Sequence, residues 1–393
     1  MRYKTKLLLD RVLGTPALFF LKALVYTVGR IAFRNHTVTG DNVRRIALLK
    51  IVGMGSIIEF SASLKALRTC YPNASILFVS SVLNKELLDL YEEFIDETVF
   101  IDDRSFFRLL FSTPATILKL AFSRIDVFLN LEVFSGFSTL ISVFSLARNR
   151  FGFYLRSSAF RKGLDTHHVF YNQHKNIREI YARMVEAAGC PLPPSLGPLR
   201  LEIPPESETK VRDYLEEKNI HEFILINVNA SELSLERRWQ EEKWIALIER
   251  LLGSFNLPIL LSGSPGEREY VQTRILDKID AELKQRVTNA AGELSLKEFA
   301  HLVSINRFFV TVDSGPYHFG LAMGAKMVSL WGPESPRHYA LDRPGLVSLY
   351  KDVYCSPCVK QTDTSPCKGD NFCMKDITVD EVMESIHALE KSG

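Results

Sequence analysis

The feature that most constrains this chain is an alternation, met twice, of short apolar runs with amphipathic segments. From about residue 44, RIALLKI, ASILFVS, ETVFIDD and DVFLNLEV have the length and the Ile, Leu, Val and Phe content of strands buried on both faces. Helical patterns such as NKELLDLYEEF separate them. The alternation resumes with FILINVNA, LPILLSG, RFFVTVD and KMVSLWG, between which lie segments such as EEKWIALIERLL. This spacing predicts an α/β fold, a parallel sheet with helices on both faces. Open sheets of that kind bind ligands beyond the carboxyl ends of their strands, so the residues just after each run carry the interest.

Between the two series, GCPLPPSLGPLRLEIPPES (Gly189–Ser207) contains prolines from Pro191 to Pro205, which regular structure does not tolerate; the inter-domain linker is expected here. With 393 residues, two cores are the default. The expected division is an amino-terminal segment (1–40), a first doubly wound domain (41–200), a second (201–376) and a carboxy-terminal helix (377–393). In that last helix, TVDEVMESIHALEK, Thr378 and Glu381 have capping-box spacing. The net charge of +2 and the lack of a long like-charge block argue against nucleic acid as a partner.

The amino-terminal segment mixes Leu and Phe with Lys4, Lys6, Arg11, Lys22, Arg30 and Arg34. Its uncharged runs, Val12–Leu21 and Ala23–Gly29, are each too short to span a bilayer, which takes about 20 apolar residues. No secretory cleavage site follows it. Two readings stand: a helix packed on the first domain, or a basic, apolar helix lying on an anionic membrane surface.

The strongest motif is VTVDSGPYHFGLAMGAKMVSLWGP (Val310–Pro333). A strand ends at Asp313, Ser314 can cap a helix, Gly315 permits close backbone approach, and Pro316 suits a first turn where a missing N–H costs nothing. Free amides and the positive end of the helix dipole make that turn an anion site, and His318 can add a donor beside a diphosphate. D-S-G-P-x-H followed by L-A-M-G and L-W-G-P-E resembles the signature of glycosyltransferase family 9, the heptosyltransferase family of lipopolysaccharide synthesis. Lys50–Leu67 with Arg68 and Tyr71–Pro72, NVNASELSLERRWQEEKW (Asn227–Trp244), LLSGSPGERE and AAGELSLKEFAHLV resemble further family segments in the same order.

The resemblance implies a GT-B fold, two Rossmann-like doubly wound domains facing a central cleft, with the donor in the second and the acceptor at the first. It implies inverting transfer without a metal cofactor, from a nucleotide-diphosphate donor of the ADP-heptose kind to a lipid-linked saccharide. The expected location is cytoplasmic, peripheral on the inner face of the membrane. Carried over by position, Ser314, Gly315, Pro316 and His318 would hold the diphosphate and Asp313 would brace the turn. Arg237 matches a phosphate-facing lysine, with Arg238 its neighbour; an arginine there adds a bidentate fork. Ser231 falls at another strand mouth, and Glu267 matches an acid that reaches the ribose.

KIVGMGS is a different turn. The dinucleotide fingerprint needs a third glycine where Ile58 stands, which disfavours a nicotinamide enzyme. By resemblance Gly53, Met54 and Gly55 form the acceptor-side loop, but the family's aspartate, the presumed general base, is Ser56 here. Serine cannot take a proton unaided near neutral pH, so its expected role is as a cap and positioning hydroxyl. Glu132, at the end of DVFLNLEV, is the favoured replacement base; Glu59, one turn after Ser56, is the second, with helix capping as its plainer role.

Cys355, Cys358, Cys367 and Cys373 have C-x2-C-x8-C-x5-C spacing, which suits a structural zinc clip in a loop spanning 355–373. The compartment is read as reducing and the cluster as a metal site rather than a disulfide framework, with unmetallated or disulfide-paired thiols as the alternative. Two other functions compete with transfer: a sugar-nucleotide epimerase or hydrolase, and a non-catalytic donor-binding protein that lacks the usual base.

Overall fold

A computed structural model describes residues 15–32, 35–38, 43–230, 235–359, 365 and 367–391. The chain divides into two compact units at Pro198 and Leu199. In the first, β1 (Arg45–Leu49), β2 (Ser75–Ser81), β3 (Glu97–Ile101), β4 (Val127–Asn130), β5 (Asn149–Tyr154) and β6 (His167–Phe170) form one sheet in the order β3-β2-β1-β4-β5-β6. The second unit repeats the plan with β7 (Ile224–Asn227), β8 (Ile259–Ser262), β9 (Val287–Asn289), β10 (Phe308–Val312), β11 (Met327–Trp331) and β12 (Leu346–Tyr350), ordered β12-β11-β10-β7-β8-β9. Every pairing in both sheets is parallel. Each order reverses at one point, between β1 and β4 in the first sheet and between β7 and β10 in the second. At such a point neighbouring crossovers leave to opposite faces and open a crevice at the strand ends.

The long apolar runs became the central strands because both of their faces are covered; β1, β4, β7, β8, β10 and β11 are buried along almost their whole length. Four strands were not apparent from the runs: β5, β6, β9 and β12. NRFGFY hides its strand character behind Arg150, whose buried guanidinium donates to the carbonyls of Leu164 and Ala147. NKELLDLYEEF does not form one helix but breaks into short turns, Val82–Asn84, Lys85–Asp89 and Glu92–Phe94.

Helix α1 (Thr15–Ala32) packs on α4 (Gly136–Phe144): Leu18 and Leu21 are buried with Val143 and Leu164. Residues 1–14 lie outside the described residues. No described helix is long and apolar enough to cross a membrane. Helix α2 (Met54–Cys70) packs against α5 (Ile177–Ala187). A disulfide between Cys70 and Cys190 ties the end of α2 to the loop after α5, which departs from the reading of a reducing compartment. The sequence reading weighed only the clustered cysteines; these two are 120 residues apart and meet through packing of the two helices.

Asp165 is buried in the first unit, where Gly152 leaves room for its carboxylate, and burial pushes its pKa up to about 6 despite Arg161 and Arg150 nearby. An acid that holds its proton more tightly when folded favours folding at low pH, and the advantage disappears as pH rises from about 4 to 6. Replacing Asp165 by Asn should therefore flatten the stability profile in that window, read as denaturation midpoints across pH.

Candidate functional site

In the second unit, β10 ends at the switch point and Asp313 and Ser314 lead into α7 (Gly315–Met323). Ser314 stands at the N-cap position but does not cap; its hydroxyl donates to the Val312 carbonyl at 3.3 Å. Pro316 carries no N–H and the Tyr317 amide donates to the Ser314 carbonyl at 3.1 Å, so the Gly315 amide is the one at this turn that the Ser314 side chain leaves for a ligand. A Cβ added at Gly315 would meet nothing within 4 Å, so the backbone is open to close approach at this residue. An amide open to approach at a dipole's positive end suits an anion. His318, one turn on, is buried with edge contacts to Tyr317 and Tyr339.

Asp313 is buried and faces Arg237, whose Nε lies 3.2 Å from Oδ2. Arg237 comes from the loop after β7, the other strand of the switch point, so this pair joins the two strand ends. Asn371 fixes the same loop by donating to the carbonyls of Glu236 and Arg238, and the Trp239 indole donates to Ile377. The Arg238 guanidinium lies over the Tyr270 ring, 4.7 Å from its centroid. Glu267, after β8, closes a capping box: its Oε2 accepts from the Ser264 amide and hydroxyl, both at 2.7 Å. Ser231 lies outside the described residues. Asn229, after β7, was missed by sequence reasoning: it is 2% exposed and its side-chain amide has no hydrogen-bond partner. A polar residue within the apolar FILINVNA run was the available signal.

In the first unit the turn after β1 is built around Glu132. Its Oε1 accepts from the amides of Ile51 (2.8 Å) and Val52 (2.9 Å), and its Oε2 pairs with Lys50 Nζ at 3.0 Å. Ser80 and Asn84 donate to the carbonyls of Lys50 and Ile51, so the strand end is fixed from both sides. Gly53 has φ +93, a left-handed conformation that a side chain would strain, and it starts α2 without a side-chain cap. Ser56 is therefore not a cap but the third residue of the helix, half-buried on its first turn. Glu59 is 1% exposed and ion-paired with Arg178 of α5, so it neither caps the helix nor reaches solvent. Lys50 is the residue the motif reading passed over; a charge directly after RIALL was its signal.

The Cys-rich loop packs on the turn after β11. Cys358 N–H donates to Pro333, the Ser356 hydroxyl donates to Gly332, and a Cβ at Gly332 would strike Met374 and Cys373. Burial pushes the Cys373 thiol up to about 11, with the charges of Cys358, Cys367 and Cys355 adding to the effect. The four sulfurs thus share one neighbourhood, yet among the described residues no three His, Cys, Asp or Glu side chains are gathered closely enough to hold a metal ion.

The fold is of the GT-B class, as in solved glycosyltransferases of similar architecture. A structure of glycosyl transferase family 9 from Veillonella parvula superposes with a TM-score of 0.71 at 18% identity, covering 91% of this chain and 99% of that one. E. coli ADP-heptose lps heptosyltransferase II gives 0.70 at 19% identity, covering 88% and 98%. In sequence, lipopolysaccharide heptosyltransferase 2 of Salmonella typhimurium is 28% identical over 159 residues, 39% of this chain and 42% of the relative. The chain spans about half the length of the curated relatives it matches. The family model of glycosyltransferase family 9 (heptosyltransferase) matches residues 135–368, and the chain belongs to that family.

Proposed function

We propose that this protein transfers a sugar, of the heptose class, from a nucleotide-diphosphate donor to a lipid-linked saccharide in lipopolysaccharide or related cell-envelope synthesis, with inversion and without a metal in the chemical step. The donor is read as ADP-heptose-like because a solved relative of the same fold bears that donor in its name. The observation that carries the reading is the uncapped start of α7 with open space at Gly315, backed by Arg237. With the diphosphate seated at this turn, the helix start and Arg237 stabilise the negative charge that develops on it as it leaves the sugar, which is where stabilisation speeds transfer. Ser314, Pro316 and His318 shape that seat, Asp313 orients Arg237, Arg238 borders it, and Glu267 serves the ribose.

On the acceptor side, Glu132 is the proposed base and Ser56 positions the hydroxyl beside it. Glu59, sealed against Arg178, is set aside as a base on the ground of its burial. The domain limits follow the same reading, with 41–200 taking the acceptor and 201–376 the donor, and the protein works at the inner face of the cytoplasmic membrane. The test is donor consumption with and without a saccharide acceptor. Transfer only with acceptor supports the reading; turnover without acceptor supports an epimerase or hydrolase; binding without turnover supports a non-catalytic protein.

The four cysteines are proposed as a structural zinc clip. What supports it is their shared neighbourhood and the clip's purchase on Pro333 and, through Asn371, on the Arg237 loop. Elemental analysis of the reduced protein should find about one zinc per chain. Metal-free protein that is fully folded and binds donor normally would refute the clip.

A further inference from the structure

Helix α3 (Phe106–Phe122), on the crossover between β3 and β4, is amphipathic in an unusual sense, because its outer face is as apolar as its inner one. Leu120 is buried against the sheet, with Leu109 and Ile117 packed beside it. Outward, Phe107 is 71% exposed, Phe111 76%, Leu118 58% and Phe122 83%. Residues spaced by multiples near four share one side of a helix, so these four form a stripe along its whole length. Leu110 and Phe106 widen it. Soluble monomers rarely expose so continuous an apolar surface, and one of this size marks an interaction site.

On the helix itself the charges have one sign. Helix α3 holds Arg108 and Lys119 and no acidic residue, and Arg104 and Arg124 stand at its two ends. The acids nearby are already engaged: Asp102 pairs with Arg104 and Arg108, Glu97 pairs with Lys119, Asp103 is buried, and Asp126 accepts from the Arg44 and Arg45 amides. The face continues sideways. Helix α4 contributes Phe137 and Ile141 to the core it shares with α3, and α1 packs on α4 in turn. Helix α1 exposes Phe20, Leu24 and Tyr26 and likewise carries Lys22 and Arg30 with no acid. An apolar stripe edged by lysine and arginine fits the boundary between acyl chains and anionic headgroups, where aromatic rings bury and cations meet phosphate.

We infer that the outer face of α3, continued by α1, docks the first unit on an anionic lipid bilayer. The inference rests on the lipid-linked acceptor proposed above, since such an acceptor sits in a bilayer and an enzyme held flat on it gains in effective concentration. The full chain should float with vesicles rich in phosphatidylglycerol and much less with phosphatidylcholine vesicles. The combined variant F107E/F111E/F122E alters only exposed positions and should keep its melting temperature. Removing three phenylalanines from lipid should weaken partitioning by more than about a hundredfold.

The same variant should transfer sugar to a deacylated, water-soluble acceptor at the normal rate, which separates docking from chemistry. Failure of that transfer in wild type as well would count against the proposed function and leave the flotation result standing. Three results would overturn the docking surface: wild type that does not float, a triple variant that floats as wild type does, or a wild-type dimer that the triple variant dissociates while neither form binds vesicles.

Discussion

Replacing Gly315 by aspartate should abolish donor binding and leave the fold intact. The position is the first residue of α7, its backbone lies outside the left-handed region, and an added Cβ meets nothing within 4 Å. A side chain is therefore tolerated by the protein itself. The new carboxylate would stand at the turn proposed to receive the diphosphate. Two like charges about 5 Å apart, at an effective dielectric of about 20, repel by roughly 3 kcal/mol, more than a hundredfold in Kd. Titration with ADP by calorimetry, or its effect on melting temperature, reads the change. Glycine to alanine at the same place is the control and should bind within a few-fold of wild type. Undiminished ADP binding by the aspartate variant would move the donor away from this turn and remove the main support for transfer.

The second large effect concerns Glu132. If its carboxylate takes the acceptor proton, Glu132→Gln should lower kcat by roughly 100- to 10,000-fold. The structure gives Glu132 a further duty, because it accepts from Ile51 and Val52 and pairs with Lys50. A glutamine offers one acceptor and one donor end, so one of those partners is left without its acceptor and the turn after β1 loosens. Rate and stability together separate the two duties. A base that is also a brace loses both, and Glu132→Asp, which keeps a carboxylate, recovers part of the rate. A brace alone loses melting temperature in both variants with only a modest change in kcat. The serine at position 56 makes this measurement decisive, since the other candidate acid, Glu59, is committed to Arg178.

Much of the architecture was legible in the sequence because a parallel strand buried on both faces must be apolar throughout, and short runs of that kind stand out. Strands β5, β6, β9 and β12 escaped for the complementary reason. β5 and β6 carry charge or exposed positions and β9 has three residues, while β12, LVSLY at the sheet edge, is only half-buried along its length. The strand end and helix start at D-S-G-P-x-H were legible as well, since a glycine and a proline next to a strand end mark the first turn of a helix. Their detailed wiring was not. Ser314 looks like a cap by type, yet whether a hydroxyl bonds forward to the helix or back to Val312 depends on a rotamer the sequence does not specify.

The alternation of runs, the proline-rich divide and the D-S-G-P-x-H turn belong to the sequence alone, because each is local and follows from period, ring closure or a missing side chain. Tertiary structure alone decided which distant side chains meet: Glu132 with Lys50, Glu59 with Arg178, Asp313 with Arg237, and Cys70 with Cys190. The reason is distance along the chain. Partners separated by about 80 to 120 residues are joined by the strand order of a doubly wound sheet and the packing of its helices, and no local pattern records that order.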